Sequence, residues 1–289
     1  VTASSVVDQL QLGDHICWAY DDEADGLDAA VTFVATGLRL GQKVICYTDT
    51  VTPAGMRQRL ETAGVPTESA LATGALRVVP ATESYLPDGP FLGDAMIAGL
   101  ADEIDRAERE NHPGLRLVGD MAWVRRTGVG VAELSRYEAG LNQLFLDGRA
   151  VGMCLYDRRL FPPAQMRAVV AAHPGSAGPH VGRTWRPMLR AYRTVEPAGL
   201  RLVGQVDRSN RNAFQAVLAE LTGERPGARP AVLDVSELSF ADVDGAHTLA
   251  GVLRGRPTEV RLVGCRPTLV RLLDLVAATE AGNLAERPA

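Results

Sequence analysis

Several things are scarce in this chain of 289 residues. Four cysteines occur with no CxxC pair, which argues against a disulfide framework or a local zinc knuckle and points to a reducing, cytoplasmic setting. No run approaches the ~20 apolar residues that a bilayer span requires, so no membrane association is expected. Val1 to Leu12 has neither a basic n-region nor an apolar h-region, and a secretory signal is not expected there. Basic charge is not in excess: 30 Lys+Arg against 35 Asp+Glu give a net charge of −5. With no helix-turn-helix evident, nucleic acid is not an expected partner. No GxSxG elbow exists, and Ser176 falls in a loop-like PGSAG run, so a serine hydrolase is not expected. What is present is ordinary for a globular protein, with 46% hydrophobic and 22% charged residues, which excludes general disorder. At ~150 residues per domain the length suggests two domains.

Strands and helices alternate through the first part. His15–Tyr20, Lys43–Thr48, Leu76–Val79, Leu115–Gly119 and Val151–Tyr156 are short apolar runs suited to a parallel sheet covered on both faces. Leu27, Ala30, Val31, Val34 and Leu38 make a helical stripe that stops at Gly41. Two further stripes are Ile97, Leu100, Ile104 and Leu134, Tyr137, Leu141, Leu144, Phe145. This order predicts a three-layer α/β sandwich. HPGSAGPH (173–180) is expected to be a loop. The basic stretch Arg183 to Arg193 is read as a tail of the first domain, and Pro197-Ala198-Gly199 as the boundary. The expected domains are thus 1–196 and 197–289. In the second, Leu200–Val203, Ala231–Val235 and Val260–Val263 read as strands. Phe214, Val217, Leu218, Leu221, then Gly245–Leu253, then Leu269, Leu272, Leu273, Val276 read as helices.

The motifs HICWAY, GLRLGQKVICYTD, LVGDMAW, RYEAGLNQLF, CLYDRRLF and AHP occur in one order over about residues 6–190. They resemble the MEDS family of sensory domains, itself similar to RecA/KaiC-type folds. The resemblance implies a RecA/KaiC-like sandwich with a degenerate P-loop. A working P-loop wraps phosphate in backbone N–H groups and adds a Lys and a Ser/Thr. Here the segment after the first strand is Asp21-Asp22-Glu23-Ala24-Asp25-Gly26-Leu27-Asp28, with five carboxylates and no lysine. Acidic residues suit a helix start but repel a triphosphate. Asp49-Thr50 stands where related ATPases carry a catalytic glutamate pair, and Asp120 where a Walker B acid would be. No catalytic residue and no cofactor are therefore expected.

Open α/β sheets bind ligands at the carboxyl ends of their strands. The candidates there are Tyr20, Asp21, Asp49, Asp120, Trp123, Tyr156 and Asp157. Trp123 could stack on a ligand, or it and Tyr156 could simply pack on the sheet. Glu138, on a helix, is expected to be solvated. His15 and Cys17 share one side of a strand, and with Cys46 and Cys154 could form a Cys₃His site. Buried cysteine as a small hydrophobe is the simpler reading, and no metal ligands are assigned. His112, His173 and His180 form no evident ligand set.

The run AVLDVSELSFADVDGAHTLAGVL (231–253), with LRLVGQVDRSNRNAFQAVL (200–218), is similar to the STAS fold of anti-sigma-factor antagonists. That resemblance implies a small α/β domain that meets a GHKL-type anti-sigma kinase through the loop and helix after the central strand. The family's switch loop, Asp-Ser-Ser/Thr-Gly, here reads Asp242-Val243-Asp244-Gly245. Val243 stands at the acceptor position and offers no hydroxyl. Asp244 would act as a helix cap. Gly245 would relax the turn, and Ala246, His247 and Leu249 would meet a partner. The expected function is a non-enzymatic cytoplasmic signalling regulator. A ligand- or partner-sensing first domain would be coupled to a STAS domain without its phosphoacceptor serine, engaging an anti-sigma factor or GHKL-type kinase. The alternatives are a nucleotide-binding or hydrolysing RecA-like enzyme with a STAS targeting piece, and a constitutive protein-binding scaffold.

Overall fold

The structure, a computed structural model, describes residues 6–86, 89–222, 231–255 and 260–285. Its first part alternates β1 (His15–Tyr20), α1 (Glu23–Arg39), β2 (Lys43–Thr48), α2 (Pro53–Thr62), α3 (Thr67–Ala72), β3 (Leu76–Pro80), α4 (Ala81–Tyr85), α5 (Gly93–Arg109), β4 (Leu115–Asp120), α6 (Val131–Leu141), β5 (Ala150–Asp157), α7 (Pro163–Ala171) and β6 (Gly175–Ala177). The six strands form one parallel sheet in the order β3-β2-β4-β5-β1-β6. Every residue of β1, β2, β4 and β5 is buried, which explains why they are largely apolar, with polar residues mostly at the strand ends and Arg116 buried inside β4. One core packs α1, α2 and α3 against the sheet. The other packs α4, α5, α6 and α7 against the opposite face. This is the expected three-layer sandwich.

Local chemistry sets the helix starts. Asp22 caps α1 through the Ala24 N–H at 2.9 Å. Thr52 caps α2 through Gly55 N–H at 3.1 Å, with Pro53 at the first helical position. The segment expected to be a loop holds strand β6, whose Gly175, Ser176 and Ala177 pair with Ile16, Cys17 and Trp18. Its residues are small because a Cβ on Gly175 would lie 2.8 Å from the Pro187 backbone.

The second part continues with β7 (Leu189–Val195), β8 (Ala198–Val206), α8 (Arg211–Ala219), β9 (Ala231–Ala241), α9 (Val243–Arg254), β10 (Val260–Val263) and α10 (Pro267–Ala285). Its sheet runs β10-β9-β8-β7, with β7 antiparallel to β8 and the other pairs parallel. Strand β7 corrects the reading of Arg183 to Arg193 as a tail. Leu189 and Ala191 point into the second core, and Pro197 sits in the hairpin between β7 and β8 rather than between domains. Arg190 of β7 reaches back to buried Asp14, with Nε–Oδ1 2.7 Å and Nη2–Oδ2 3.0 Å, a two-pronged tie between the two parts.

Candidate functional site

The carboxyl edge of the first sheet is occupied by internal bonds. Tyr20 is buried against the start of α1, where a Cβ on Gly26 would lie 2.5 Å from its ring. Asp21 is exposed and bonds Arg158 at 2.8 Å. Asp49 pairs with Arg126. Asp120 accepts N–H bonds from Asp49 (3.2 Å), Thr50 (2.6 Å) and Ala122 (3.1 Å). Burial pushes its carboxyl above the ordinary range, more than those N–H groups pull it back. Asp157 is clasped by Arg159, 2.6 Å from its Oδ2, and is held low by that bond. Trp123 is fully buried and stacked on Tyr85 at 4.6 Å, with Phe91 at 5.0 Å. It packs within the core of the sheet's α4–α7 face.

Tyr156 leads to a different place. It too is fully buried, and its hydroxyl donates to Glu138 Oε1 at 2.5 Å. Glu138, expected to be solvated, is 0% exposed. On α6 it falls between Leu134, Tyr137 and Leu141, on the face that packs against the sheet. That spacing was the available signal. Around Glu138 Oε2 stand His15 Nε2 at 3.7 Å, His173 Nε2 at 3.3 Å and Cys154 Sγ at 3.3 Å. His173, which formed no ligand set in the sequence, follows α7, and its ring lies 4.3 Å from that of His15. Burial and the neighbouring His173 push the His15 imidazole down to about 3, against the pull of Glu138. Burial opposes ionisation of Glu138, but His173, His15 and the Tyr156 hydroxyl hold its carboxyl below the ordinary range. The Cys₃His set does not assemble. Cys17 and Cys154 face one core and Cys46 the other, across the sheet. Burial raises Cys17 and Cys46 to about 12, so both are protonated thiols at neutral pH.

In the second sheet the turn after β9 is capped by Asp242, whose Oδ1 accepts from Gly245 N–H at 2.8 Å. Asp244, expected to be the cap, is instead exposed in the first turn of α9. Ala246 and Leu249, expected to face a partner, are fully buried. Helical spacing puts positions 246, 249 and 250 inward and 243 and 244 outward, with 247 half-buried. Val243 is 54% exposed, and Phe240 just before it 50%. Beside them an apolar groove of 470 Å³ runs between β9 and α10, lined by Leu238, Phe240, Leu272 and Leu275.

A family model for the MEthanogen/methylotroph, DcmR Sensory domain (MEDS) matches residues 14–174, more than half of the chain. The chain belongs to the MEDS family. A STAS-domain model matches residues 188–285, so a STAS domain follows the MEDS domain. The transcriptional repressor DcmR of Methylorubrum extorquens is 25% identical over 169 residues, which cover 55% of this chain and 58% of that repressor. The flagellar accessory protein FlaH of Methanocaldococcus jannaschii aligns at TM-score 0.42 and 9% identity, over 71% of this chain and 82% of that one. Together the two domain matches and the repressor relative support a signalling or regulatory role.

The MEDS and STAS domains meet along α6, α7 and α8. Asn212 of α8 donates to Ser135 Oγ of α6 at 3.2 Å, and Gln143 donates to Ala216 O at 3.3 Å. Beside this seam lies a cleft of 600 Å³ lined by Arg158, Arg167, Ser209, Arg208, Arg211 and Asn212. Two of its arginines pair with carboxylates outside the cleft. Arg158 holds Asp21 of the acidic loop, and Arg211 lies 3.8 Å from Asp244 of the STAS turn. No helix of the described residues is long and apolar enough to cross a membrane.

Proposed function

We propose that this chain is a non-enzymatic signalling regulator. Its MEDS domain senses a small anionic ligand, and its STAS domain engages an anti-sigma factor or GHKL-type kinase without a phosphorylation switch. The observation that carries the reading is the position of Arg211, which faces both the inter-domain cleft and Asp244 on the exposed turn. Four arginines around one cleft suit a carboxylate or phosphate. An anion there competes with Asp244 for Arg211 and so changes the charge presented at the start of α9. Such coupling needs different ligand affinities in two states of the turn.

Two further features favour partner binding over nucleotide chemistry. Only Asp21 and Asp22 separate β1 from α1, too short a turn to wrap a triphosphate. The chain's one lysine, Lys43, is buried at the start of β2 and bonds Glu110 at 2.6 Å. On the STAS side, Val243 and Phe240 give the turn an exposed apolar tip for a partner.

The test offers the purified chain to GHKL-type anti-sigma kinases with ATP. A complex is expected that is weakened by Val243→Asp, with no phosphoryl mass gained on residues 242–245. Val243→Ser is expected to gain one. A phosphoryl group on the wild-type turn, or sustained ATP hydrolysis by the chain alone, overturns the reading.

A further inference from the structure

The buried cluster under the sheet turns four metal-ligating side chains toward one centre. Asn142 settles the hydrogen positions. Its Nδ2 faces three carbonyl oxygens, Glu138 O at 3.3 Å, Ala139 O at 2.9 Å and Ala172 O at 2.9 Å. Its Oδ1 therefore faces His15 Nδ1, 2.9 Å away, which must donate. His173 Nδ1 lies 2.7 Å from Val169 O and must donate as well. Both rings then turn Nε2 to the centre. Glu138 Oε2 faces the same centre and is an acceptor. The Tyr156 proton already goes to Glu138 Oε1. The Cys154 thiol donates to Glu138 Oε2 at 3.3 Å. His173 Nε2 is left buried without a hydrogen bond, although it points at Glu138. A buried polar atom left without a partner is costly.

We propose that His15, Glu138, Cys154 and His173 bind one divalent transition-metal cation, with zinc the best match. Their ligand atoms all lie within 4.8 Å of one another. Around a tetrahedral zinc, bonds of about 2.0–2.3 Å put neighbouring ligand atoms about 3.3–3.7 Å apart. Four of the separations fit: His15 Nε2 to Glu138 Oε2 is 3.7 Å, His173 Nε2 to Glu138 Oε2 3.3 Å, Cys154 Sγ to Glu138 Oε2 3.3 Å and Cys154 Sγ to His15 Nε2 3.5 Å. Charge also balances. A thiolate and a carboxylate sum to −2, which a divalent cation cancels in a site where all four residues are buried. Binding releases the thiol proton to solvent. The outer contacts have the form metal-bound histidines use: each Nδ1–H is anchored to an oxygen, which aims Nε2 inward. Nitrogen, sulfur and oxygen donors in a closed set select a borderline cation over magnesium or calcium. The four ligands come from β1, α6, β5 and the end of α7, so the cation ties two helices to two neighbouring strands.

The test refolds the full chain from denaturant with Zn²⁺, with Co²⁺ or with chelator, then removes loose metal. One tightly held Zn²⁺ per chain is expected, with a higher melting temperature than the chelated sample. The Co²⁺ form should show a thiolate-to-cobalt charge-transfer band. Cys154→Ser should lose that band, and His173→Gln should weaken binding by more than the about 10–100-fold typical of outer contacts alone. Cys265→Ser, in the STAS domain, should keep both signals. Circular dichroism reports whether each variant folds. Absence of retained metal in the refolded wild-type chain overturns the assignment, whatever the variants do. So does a charge-transfer band that follows Cys265 instead of Cys154. Neither result bears on the partner-binding reading, which does not involve this cluster.

Discussion

The two domains bury opposite kinds of chemistry. Among the described residues, buried polar and charged side chains in the MEDS domain include Asp14, His15, Lys43, Arg116, Asp120, Glu138 and His173. In the STAS domain the corresponding set is Asn210 alone. The STAS core is otherwise aliphatic with one ring, Phe214, and its exposed features lie on the turn after β9. Burying ionisable groups costs stability unless each is paired. The MEDS domain carries that cost in its interior, which points to chemistry inside. The STAS domain has a core made for packing, and the end of β9 and the turn after it leave Phe240 and Val243 exposed. The same fold class therefore buries its polar groups in one case and exposes them in the other.

The contrast is sharpest at Glu138. Replacing it with Ala removes the acceptor of the Tyr156 hydroxyl and the charge facing two imidazoles, and is expected to cost about 3–5 kcal/mol. Glu138→Gln keeps an acceptor for Tyr156 and should cost less. All three tryptophans precede residue 188, so denaturant unfolding followed by their fluorescence reports the MEDS domain. A cost no larger than that of an ordinary surface change would remove the claim that its interior is built around charge. Glycines test the packing side of the same contrast. A Cβ on Gly37 would lie 2.6 Å from Arg116 Cδ and 2.8 Å from Val44 Cγ2, so Gly37→Ala should destabilise by about 1–3 kcal/mol. Gly251, on exposed α9, has nothing within 4 Å of that position, and Gly251→Ala should stabilise by about 0.5–1 kcal/mol. Opposite signs are expected in matched melts.

What the sequence revealed follows from the range of each interaction. Strands β1, β2, β4 and β5 are legible because total burial makes them largely apolar. Strand β6 was not, since three small residues at a sheet edge carry no periodicity. Strand β7 hid in an arginine-rich run whose charges answer distant partners: Arg190 pairs with Asp14 and Arg193 with Asp147 and Glu220. The acidic loop and the Val243 substitution were local and could be read directly. The buried cluster was out of reach because His15 meets Asn142 across 127 positions and Cys154 across 139. Of its members only Glu138 left a local mark, by falling in the apolar stripe of α6. The strand-end candidates were placed correctly along the chain, but spacing cannot show that Asp120 and Asp157 already have partners.

A smaller effect is expected at the STAS turn. Asp242→Ala removes the N-cap of α9 and should cost about 1 kcal/mol. Circular dichroism can follow this loss, which is expected to leave the tryptophan transition of the MEDS domain in place. A shift of both transitions together would mean that the turn and the MEDS interior behave as one unit, and the contrast between the domains would be weaker than their cores imply.

The smallest effect concerns Lys43 and Glu110, a buried cation answered by a partly exposed carboxylate. The hydrogen bond from Lys43 holds the Glu110 carboxyl below its ordinary 4.5, despite some opposing desolvation. A carboxylate depressed by folding contributes stability above its unfolded value and loses it as pH falls through the folded one. Acidification below 4.5 should therefore lower the melting temperature of the wild-type chain more than that of Glu110→Gln, with the two curves parallel at neutral pH. Salt should shrink the difference only in part, because Lys43 is 3% exposed while Glu110 is 43% exposed. Curves that stay parallel below 4.5 would mean that the pair is as strong unfolded as folded. The buried lysine would then owe its place to packing of its stem rather than to its charge.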